Sequence, residues 1–244
     1  MSEVYESNKL LSEYLLFHYA QDHEVLPADG GWPAGMNEAL NFAVRTVSHF
    51  GSHQVERSLD LGCAVGRSSF ELARHCDEVL GMDFSSSFVA AACTLASGGT
   101  LAYERLEEGH VSTALEAKAP EGIDLDRVRF AEGDAMCLPA DIGSFDRVHA
   151  ANLICRLPEP LKLLARLPEL VVPGGELVLA TPATWLETFT PSANWPKSRT
   201  RDWLIDQLGD AFELKKELEE PFLIRETARK FQWSRSLVTV WNKR

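Results

Sequence analysis

A ten-residue segment, Ser58–Arg67, constrains the fold of this chain more than any other part of the sequence. Its leucines, Leu59 and Leu61, are typical of a buried strand, and a helical run begins directly after the segment. Between strand and helix lie Gly62 and Gly66, which have no Cβ and so allow the backbone to approach a ligand closely. Open α/β sheets bind their ligands at turns of this kind, at the carboxyl ends of strands. The segment therefore predicts a site for a nucleoside-type cofactor.

Strand-like and helix-like stretches alternate along most of the chain after this turn. The predicted strands are Ser58–Leu61, Glu78–Met82, Arg127–Ala131, Asp146–Ala150 and Glu176–Ala180, and the predicted helices between them are Ser68–His75, Ser86–Ala96 and Pro160–Leu170. Such alternation predicts an α/β fold, in which a mostly parallel sheet carries helices on both faces. Near the end of the chain, Arg201–Leu208 predicts a further helix, and Phe212–Leu218 with Ser236–Trp241 predicts an antiparallel strand pair.

Three further segments surround this predicted core, and we expect one compact domain overall. Residues 1–51 form an N-terminal helical cap, with an amphipathic helix at Ser7–Ala20 that Ser7 caps and a second helix at Asn37–Phe50. Residues 52–244 form the core. Apolar and polar residues alternate on both sides of Glu108-Gly109, which predicts a β-hairpin insertion at about 99–122. The Trp- and Pro-rich stretch at about 181–200 is either a lid over the strand ends or an ordinary crossover.

Composition excludes several classes of function. The net charge of −12 argues against a nucleic-acid partner or an anionic membrane surface, since both require basic patches. Five cysteines without Cys-x-x-Cys spacing favour reduced thiols over disulfides or a metal site, and we expect no metal. The polar start of the chain and the absence of a long apolar run predict neither a signal peptide nor a membrane span. We therefore expect a cytoplasmic protein.

Acidic residues stand at or near the ends of three predicted strands: Asp60, Asp83 and Asp134. An acidic residue in the position of Asp83 is the usual partner of ribose hydroxyls. The string Leu-Asp-Leu-Gly-Cys-Ala-Val-Gly does not have the glycine spacing of dinucleotide-binding folds, which disfavours a nicotinamide oxidoreductase. With the three acidic residues in order, it resembles the first motif of the class I S-adenosylmethionine-dependent methyltransferases.

This resemblance implies a Rossmann-like, seven-stranded sheet that binds S-adenosylmethionine. It implies that Asp60 orients the turn or meets the cofactor's ammonium through water, that Asp83 binds the ribose, and that Asp134 with the Ala135 amide binds the adenine. Asn152, in the loop after the fourth strand, is expected to face the transferring methyl. The residues expected to bind the cofactor are Asp60, Gly62, Cys63, Ala64, Gly66, Asp83, Phe84, Asp134, Ala135 and Asn152.

Four longer strings are similar to the 4-mercaptohistidine (5-thiohistidine) N-methyltransferases of ovothiol biosynthesis. They are Tyr5–Tyr19, Ala151–Leu157, Thr181–Glu187 and Pro221–Gln232. One departure is Pro196, which follows Trp195 where a glycine-containing loop is expected. The resemblance implies methyl transfer to the imidazole nitrogen nearest the side-chain stem, and a sulfoxide synthase that acts upstream as a separate protein.

The same resemblance suggests which residues handle the acceptor. Arg156 and Arg225 are candidates for its carboxylate and Glu226 for its ammonium, although ordinary ion pairs would explain all three equally well. Orienting the ring requires a weak base or a hydrogen-bond acceptor, and the candidates for this role are Tyr14, His18, Tyr19, Asn152 and Glu226. The expected catalytic residues are Asn152, Tyr14 and His18, and the expected substrate-binding residues are Tyr14, His18, Tyr19, Asn152, Arg156, Trp185, Arg225 and Glu226. Alternatives are another small imidazole or thiol acceptor, or a catalytically silent cofactor-binding protein.

Overall fold

A twisted sheet of seven strands forms the centre of the molecule. The computed structural model describes residues 8–244. The sheet has the strand order β5-β2-β1-β6-β7-β9-β8, and β3 pairs with β4 in a separate hairpin. The strands are β1 Val55–Leu61, β2 Cys76–Asp83, β3 Thr100–Glu108, β4 Val111–Lys118, β5 Val128–Glu132, β6 Phe145–Ala151, β7 Val171–Thr181, β8 Phe212–Arg225 and β9 Phe231–Lys243.

Within residues 8–244, seven α-helices surround the sheet, and short 3₁₀ turns connect some of them to it. The helices are α1 Asn8–Tyr19, α2 Asp22–Val25, α3 Phe42–Val47, α4 Arg67–Leu72, α5 Ser86–Ala96, α6 Pro160–Leu170 and α7 Thr200–Leu208. One face of the sheet is covered by a core that contains Phe70 and Phe88, and the other by a core that contains Leu163 and Leu204. No helix among residues 8–244 is long and apolar enough to cross a membrane.

The sheet topology confirms the predicted fold. Strands β5, β2, β1, β6 and β7 are parallel, whereas β9 runs antiparallel to both β7 and β8. Strand β1 therefore has β2 on one side and β6 on the other, and the chain order reverses at this position. A crevice opens at such a reversal, outside the carboxyl ends of the strands, and this is where ligands of doubly wound sheets bind.

Helices α5 and α6 match their predicted bounds residue for residue, whereas the predicted helix Asn37–Phe50 is wrong as a continuous element. The segment forms a 3₁₀ turn at Asn37–Ala39, becomes extended at Leu40, and restarts as α3 after Asn41. Asn41 has a φ of 57°, in the left-handed region that asparagine tolerates better than most residues, and its Nδ2 donates to Asp22 Oδ1 at 2.8 Å. Ser7, the predicted cap of the first helix, lies outside the described residues.

The C-terminal strand pair is much longer than predicted. Strands β8 and β9 pair from Phe212 opposite Lys243 to Arg225 opposite Phe231. A charged stretch with Pro221 in the middle of β8 hides this continuation in the sequence, but β8 is an edge strand, where proline and charges are tolerated. The far end of the pair extends to the β3–β4 hairpin.

A partly buried ion cluster joins the hairpin, α2 and the far end of β8. We call Arg105, Glu107 and Arg225 the Arg225 cluster. Arg225 Nη2 donates to Glu107 Oε2 at 2.6 Å, and Arg105 Nη2 lies 2.6 Å from Glu107 Oε1. Both arginines also donate to backbone carbonyls at the C-terminal end of α2, those of Glu24 and Val25. Since helix-end carbonyls carry partial negative charge, the two cations are stabilised there.

Candidate functional site

A cavity of about 390 Å³ lies at the carboxyl ends of the parallel strands. One half, the strand-end half, is formed by the loops after β1, β2, β5 and β6. The other half, the cap half, is formed by side chains of α1, α3, β8 and β9. The cavity therefore joins the predicted cofactor turn to the elements that surround the core.

The glycine turn after β1 is held against β2 by its own backbone. The N–H groups of Gly62 and Cys63 donate to Met82 O at 2.8 and 3.0 Å. Gly62 has a φ of 68°, and an added Cβ would lie 3.0 Å from Leu153 Cδ1. Ala64, with a φ of 48°, adopts a left-handed conformation that costs a residue with a Cβ about 1–2 kcal/mol. Gly62, Cys63 and Ala64 all line the cavity.

Gly66, which the sequence motif predicts to contact the cofactor, does not line the cavity. It has a φ of 92° and precedes the first residue of α4. A Cβ at this position would lie 2.6 Å from Phe130 Cζ and 3.1 Å from Ala92 Cβ. Gly66 is therefore required by the turn conformation and by packing against neighbouring elements.

Asp83 connects two loops at the end of β2. Its Oδ2 accepts from Ala64 N and its Oδ1 accepts from Ser85 N, both at 2.9 Å. Burial raises the pKa of this carboxyl group. The Phe84 backbone N–H also hydrogen-bonds this carboxylate, so about one of its four acceptor positions remains for a further donor. A ribose hydroxyl group is such a donor, which fits the group that the sequence implies.

The residues next to Asp83 and after β5 complete the strand-end half. Phe84 lines the cavity and is 49% exposed, so its ring offers a free apolar face. Asp134 Oδ1 accepts from Met136 N at 2.8 Å, and its second carboxylate oxygen has no hydrogen bond to any residue between 8 and 244. Ala135 also lines this wall. An apolar face beside an open carboxylate suits an aromatic base that carries an amino group.

Asp60 is buried at the base of the cavity and is held on both sides. Ser69 Oγ donates to its Oδ2 at 2.6 Å, and His149 Nδ1 lies 2.8 Å from its Oδ1. The other ring nitrogen of His149 lies 3.1 Å from Thr46 Oγ1. His149 is thus a histidine with both ring nitrogens partnered, and Asp60 is a fixed negative charge below the turn.

Asn152 lines the cavity at the end of β6, where it adopts a φ of 56°. Its backbone N–H donates to Ala180 O at 2.8 Å, and its Oδ1 accepts from Ser236 Oγ at 2.7 Å. The side-chain NH₂ makes no hydrogen bond to the described residues. Asn152 therefore offers an amide donor, and its Oδ1 keeps one acceptor position beside the hydrogen bond from Ser236.

Tyr14 and His18 line the cap half, as expected of site residues. Their rings stack with centroids 5.9 Å apart, and Tyr14 also packs on Phe88 at 4.6 Å. His18 Nδ1 is buried and has no hydrogen-bond partner among residues 8–244. Burial, helped by the Arg67 charge, lowers the pKa of His18 to about 3. The ring is therefore neutral at physiological pH.

The lowered pKa of His18 predicts a pH-dependent contribution to stability. Between the ordinary value of 6.5 and about 3, the unfolded chain binds a proton that the folded chain excludes, so stability is lost as the pH falls through this range. Replacing His18 by leucine should make the acid-side loss shallower, measured as urea midpoints at pH 7, 5.5 and 4.5. The exposed His110 serves as the control, because His110→Gln should follow the wild-type profile. Parallel profiles for wild type and His18→Leu would contradict this prediction.

Four of the expected substrate-binding residues do not line the cavity. Tyr19 donates its hydroxyl to Val65 O at 2.6 Å, and Trp185 Nε1 donates to Thr200 Oγ1 at 3.0 Å. Arg225 is bound within the Arg225 cluster and does not line the cavity, so the structure does not bring it to the expected substrate site. Glu226 does not line the cavity itself. Its Oε1 accepts from Nε2 of Gln232, which does, at 2.7 Å.

Arg156 does line the cavity, in the loop after β6. Its Nη1 donates to Thr184 O at 2.9 Å, and its guanidinium lies 4.8 Å from the centroid of the Phe189 ring. The alternative of an ion pair between Arg156 and Glu159 is not found, since Glu159 pairs with Lys162 at 2.5 Å. Arg156 therefore retains guanidinium donors for an anion.

The sequence reasoning missed two polar residues of the cap half, Glu13 and Gln232. Glu13 directly precedes Tyr14 in the first helix, where the apolar and aromatic residues give the sequence signal and an acidic residue reads as part of the solvent face. Gln232 is the last residue of the string Pro221–Gln232. Knowing that β9 begins at Phe231 would have placed Gln232 on a strand beside the cavity.

Comparison with known proteins agrees with this geometry. The family described as Methyltransferase domain matches residues 59–179. Methyltransferase GfsG of Streptomyces halstedii is 28% identical over 50% of this chain and 36% of its own length. Demethylmenaquinone methyltransferase of Lactococcus lactis is 27% identical over 59% of this chain and 51% of its own length. The chain thus spans about a third to a half of the length of these curated relatives.

A solved structure has the same fold over nearly the whole chain. The N-methyltransferase NodS of Bradyrhizobium japonicum, in complex with S-adenosylhomocysteine, has a TM-score of 0.55 and 16% identity, over 93% of this chain and 98% of NodS. The matched family runs from within β1 to within β7, and it contains the strand-end residues described above, from Asp60 to Arg156. S-adenosylmethionine is the cofactor that this domain implies, and the acceptor positions at Asp83 and Asp134 fit it. The chain belongs to the class I S-adenosylmethionine-dependent methyltransferases.

Proposed function

We propose that this chain methylates a ring nitrogen of 4-mercaptohistidine (5-thiohistidine), with S-adenosylmethionine as the methyl donor, to give ovothiol. One observation carries the proposal: a single cavity runs from the cofactor turn to side chains of α1 and β9. Tyr14, His18 and Gln232 line it, and they belong to two of the four strings that carry the narrower resemblance. A cavity of about 390 Å³ suits a small molecule better than a macromolecule.

The residues of the cavity can supply what this reaction needs. When bound, S-adenosylmethionine provides an activated methyl group on a sulfonium. Asp83 and Asp134 bind the nucleoside end, and Asp60 is the buried charge below the turn. Positioning is the main contribution of a protein to such a transfer, and well-oriented pairs reach effective molarities of roughly 10⁵–10⁸ M.

The acceptor ring must present one nitrogen without its proton. Neutral His18 has an unpartnered Nδ1, which can accept a hydrogen bond from the other N–H of an imidazole and favour that tautomer. Arg156 retains donors for a carboxylate, and a guanidinium matches that group in geometry. The Asn152 NH₂ can donate to an oxygen or sulfur near the end of β6.

The named relatives leave the choice of acceptor open, and another small imidazole or thiol is the main alternative. The experiment is incubation of the purified protein with S-adenosylmethionine and 4-mercaptohistidine, followed by mass spectrometry. We expect one added methyl group, located on the ring nitrogen nearest the side-chain stem by fragmentation. Histidine and a simple thiol are the competing acceptors, and faster methylation of either would refute the assignment. Cofactor binding without transfer to any of them would favour a catalytically silent protein.

A further inference from the structure

The cap half of the cavity contains one carboxylate among residues 8–244, that of Glu13 on α1. Its side chain is 21% exposed, and burial raises the pKa of the carboxyl group. The nearest cation, Lys9 Nζ, lies 3.8 Å away on a side chain that is 74% exposed. An ion pair of this length and exposure contributes little, so the carboxylate retains acceptor positions for another cation.

A second hydrogen-bond acceptor, the amide oxygen of Gln232, belongs to the same wall. Gln232 Nε2 donates to Glu226 Oε1 at 2.7 Å, and Glu226 Oε2 lies 2.5 Å from Lys230 Nζ. These contacts fix the Gln232 amide through its nitrogen, and its oxygen has no partner among the described residues. The charges of Glu226 and Lys230 also act on Glu13, so this turn and α1 are close together.

The other walls of the cap half are apolar or aromatic. They include Leu10, Phe17, Phe42, Phe222 and Ile224. In these surroundings the Glu13 carboxylate has only the exposed Lys9 as an ion-pair partner among residues 8–244, and the Gln232 oxygen accepts no hydrogen bond from those residues. A primary ammonium, with a positive charge and three N–H donors, satisfies both groups.

We infer that Glu13 and Gln232 bind a primary ammonium group of the methyl acceptor, and that Glu226 positions Gln232. This inference rests on the proposed transfer to a small molecule and narrows its substrate to amines and amino acids. From the sequence, Glu226 is expected to contact the ammonium. The inference moves that contact to Glu13 and Gln232, which line the cavity, whereas Glu226 does not.

The test compares two acceptors that differ only in the amino group: 4-mercaptohistidine and its deaminated analogue, 3-(4-mercaptoimidazolyl)propionate. Binding to the protein saturated with S-adenosylhomocysteine is measured by calorimetry. We expect Glu13→Gln to weaken binding of 4-mercaptohistidine roughly tenfold, because a charged hydrogen-bonded partner is lost, and to leave the deaminated analogue unchanged. Gln232→Leu should cause a smaller loss with the same selectivity.

Glu121→Gln is the matched control, since it removes one negative charge at an exposed position outside the cavity. It should change neither affinity. The affinity for S-adenosylhomocysteine and the thermal midpoint should be the same in all variants, which separates a substrate contact from a loss of structure. Equal losses for both acceptors in Glu13→Gln, or no loss for either, would overturn the inference.

A second comparison distinguishes a wrong acceptor assignment from a wrong ammonium site. If the wild-type protein neither binds nor methylates 4-mercaptohistidine, the comparison is repeated with histamine and 4-methylimidazole. Tighter binding of histamine that Glu13→Gln abolishes would support the ammonium site with a different acceptor. Equal binding of the two probes would refute the site as well.

Discussion

Replacing Asp83 by alanine should weaken binding of S-adenosylhomocysteine roughly 10- to 100-fold, because hydrogen bonding to a carboxylate, worth about 1.5–3 kcal/mol, is lost. Both oxygens of Asp83 already accept backbone N–H groups, so the carboxylate is fixed in place before any ligand binds. Titration calorimetry measures the effect directly. An unchanged affinity would refute the ribose contact.

The same backbone contacts mean that Asp83 also holds the glycine turn, and a control must separate the two roles. The 2′-deoxy analogue of S-adenosylhomocysteine lacks one of the hydroxyl groups in question. Wild-type protein should bind this analogue less tightly than the parent compound, whereas Asp83→Ala should bind the two about equally. A variant that still distinguishes them would show that Asp83 acts on the turn alone.

Replacing Glu107 by glutamine should lower the free energy of unfolding by about 3 kcal/mol, the low end of the cost of breaking a buried ion pair. Glu107 is the only anion of the Arg225 cluster, and its loss leaves two arginines side by side, one of them with a side chain only 2% exposed. Replacing Arg225 by methionine should cost less, about 1–2 kcal/mol, because Glu107 keeps Arg105 and Thr113 as partners.

Urea denaturation of the two variants tests this order. Glu116→Gln on the neighbouring strand is the control, since that carboxylate is exposed and its loss should leave the denaturation midpoint unchanged. If Arg225→Met proves more destabilising than Glu107→Gln, the contacts of Arg225 with the end of α2 matter more than the charge balance of the cluster.

The strand-end half of the site was predictable because each of its residues follows a strong local signal. Asp60 and Asp83 belong to short apolar strands, and α5 follows a serine cap, Ser85, that accepts from Phe88 N at 3.2 Å. Strand, turn and helix are all specified there by neighbours in sequence. The predicted and observed elements accordingly agree closely in this region.

The cap half was less predictable, because its residues are assembled by contacts between distant segments. Arg225 and Glu226 stand side by side in an informative string, yet one is buried in a cluster with Glu107 and the other supports Gln232. Their different roles depend on where β3, α2 and β9 pack. The break at Asn41 likewise depends on a tertiary contact with Asp22.

The two halves of the cavity come from different parts of the chain, so related methyltransferases can differ in their acceptor while they share the cofactor site. The part of the chain shared with other methyltransferases, residues 59–179, supplies the strand-end half, whereas α1, α3, β8 and β9 lie outside it. Exchange or drift of these outer segments would alter what is methylated while the donor chemistry stays intact. The Arg225 cluster connects β8 to the hairpin and to α2. Changes in the outer segments would therefore have to keep its three charged residues for β8 to stay in place.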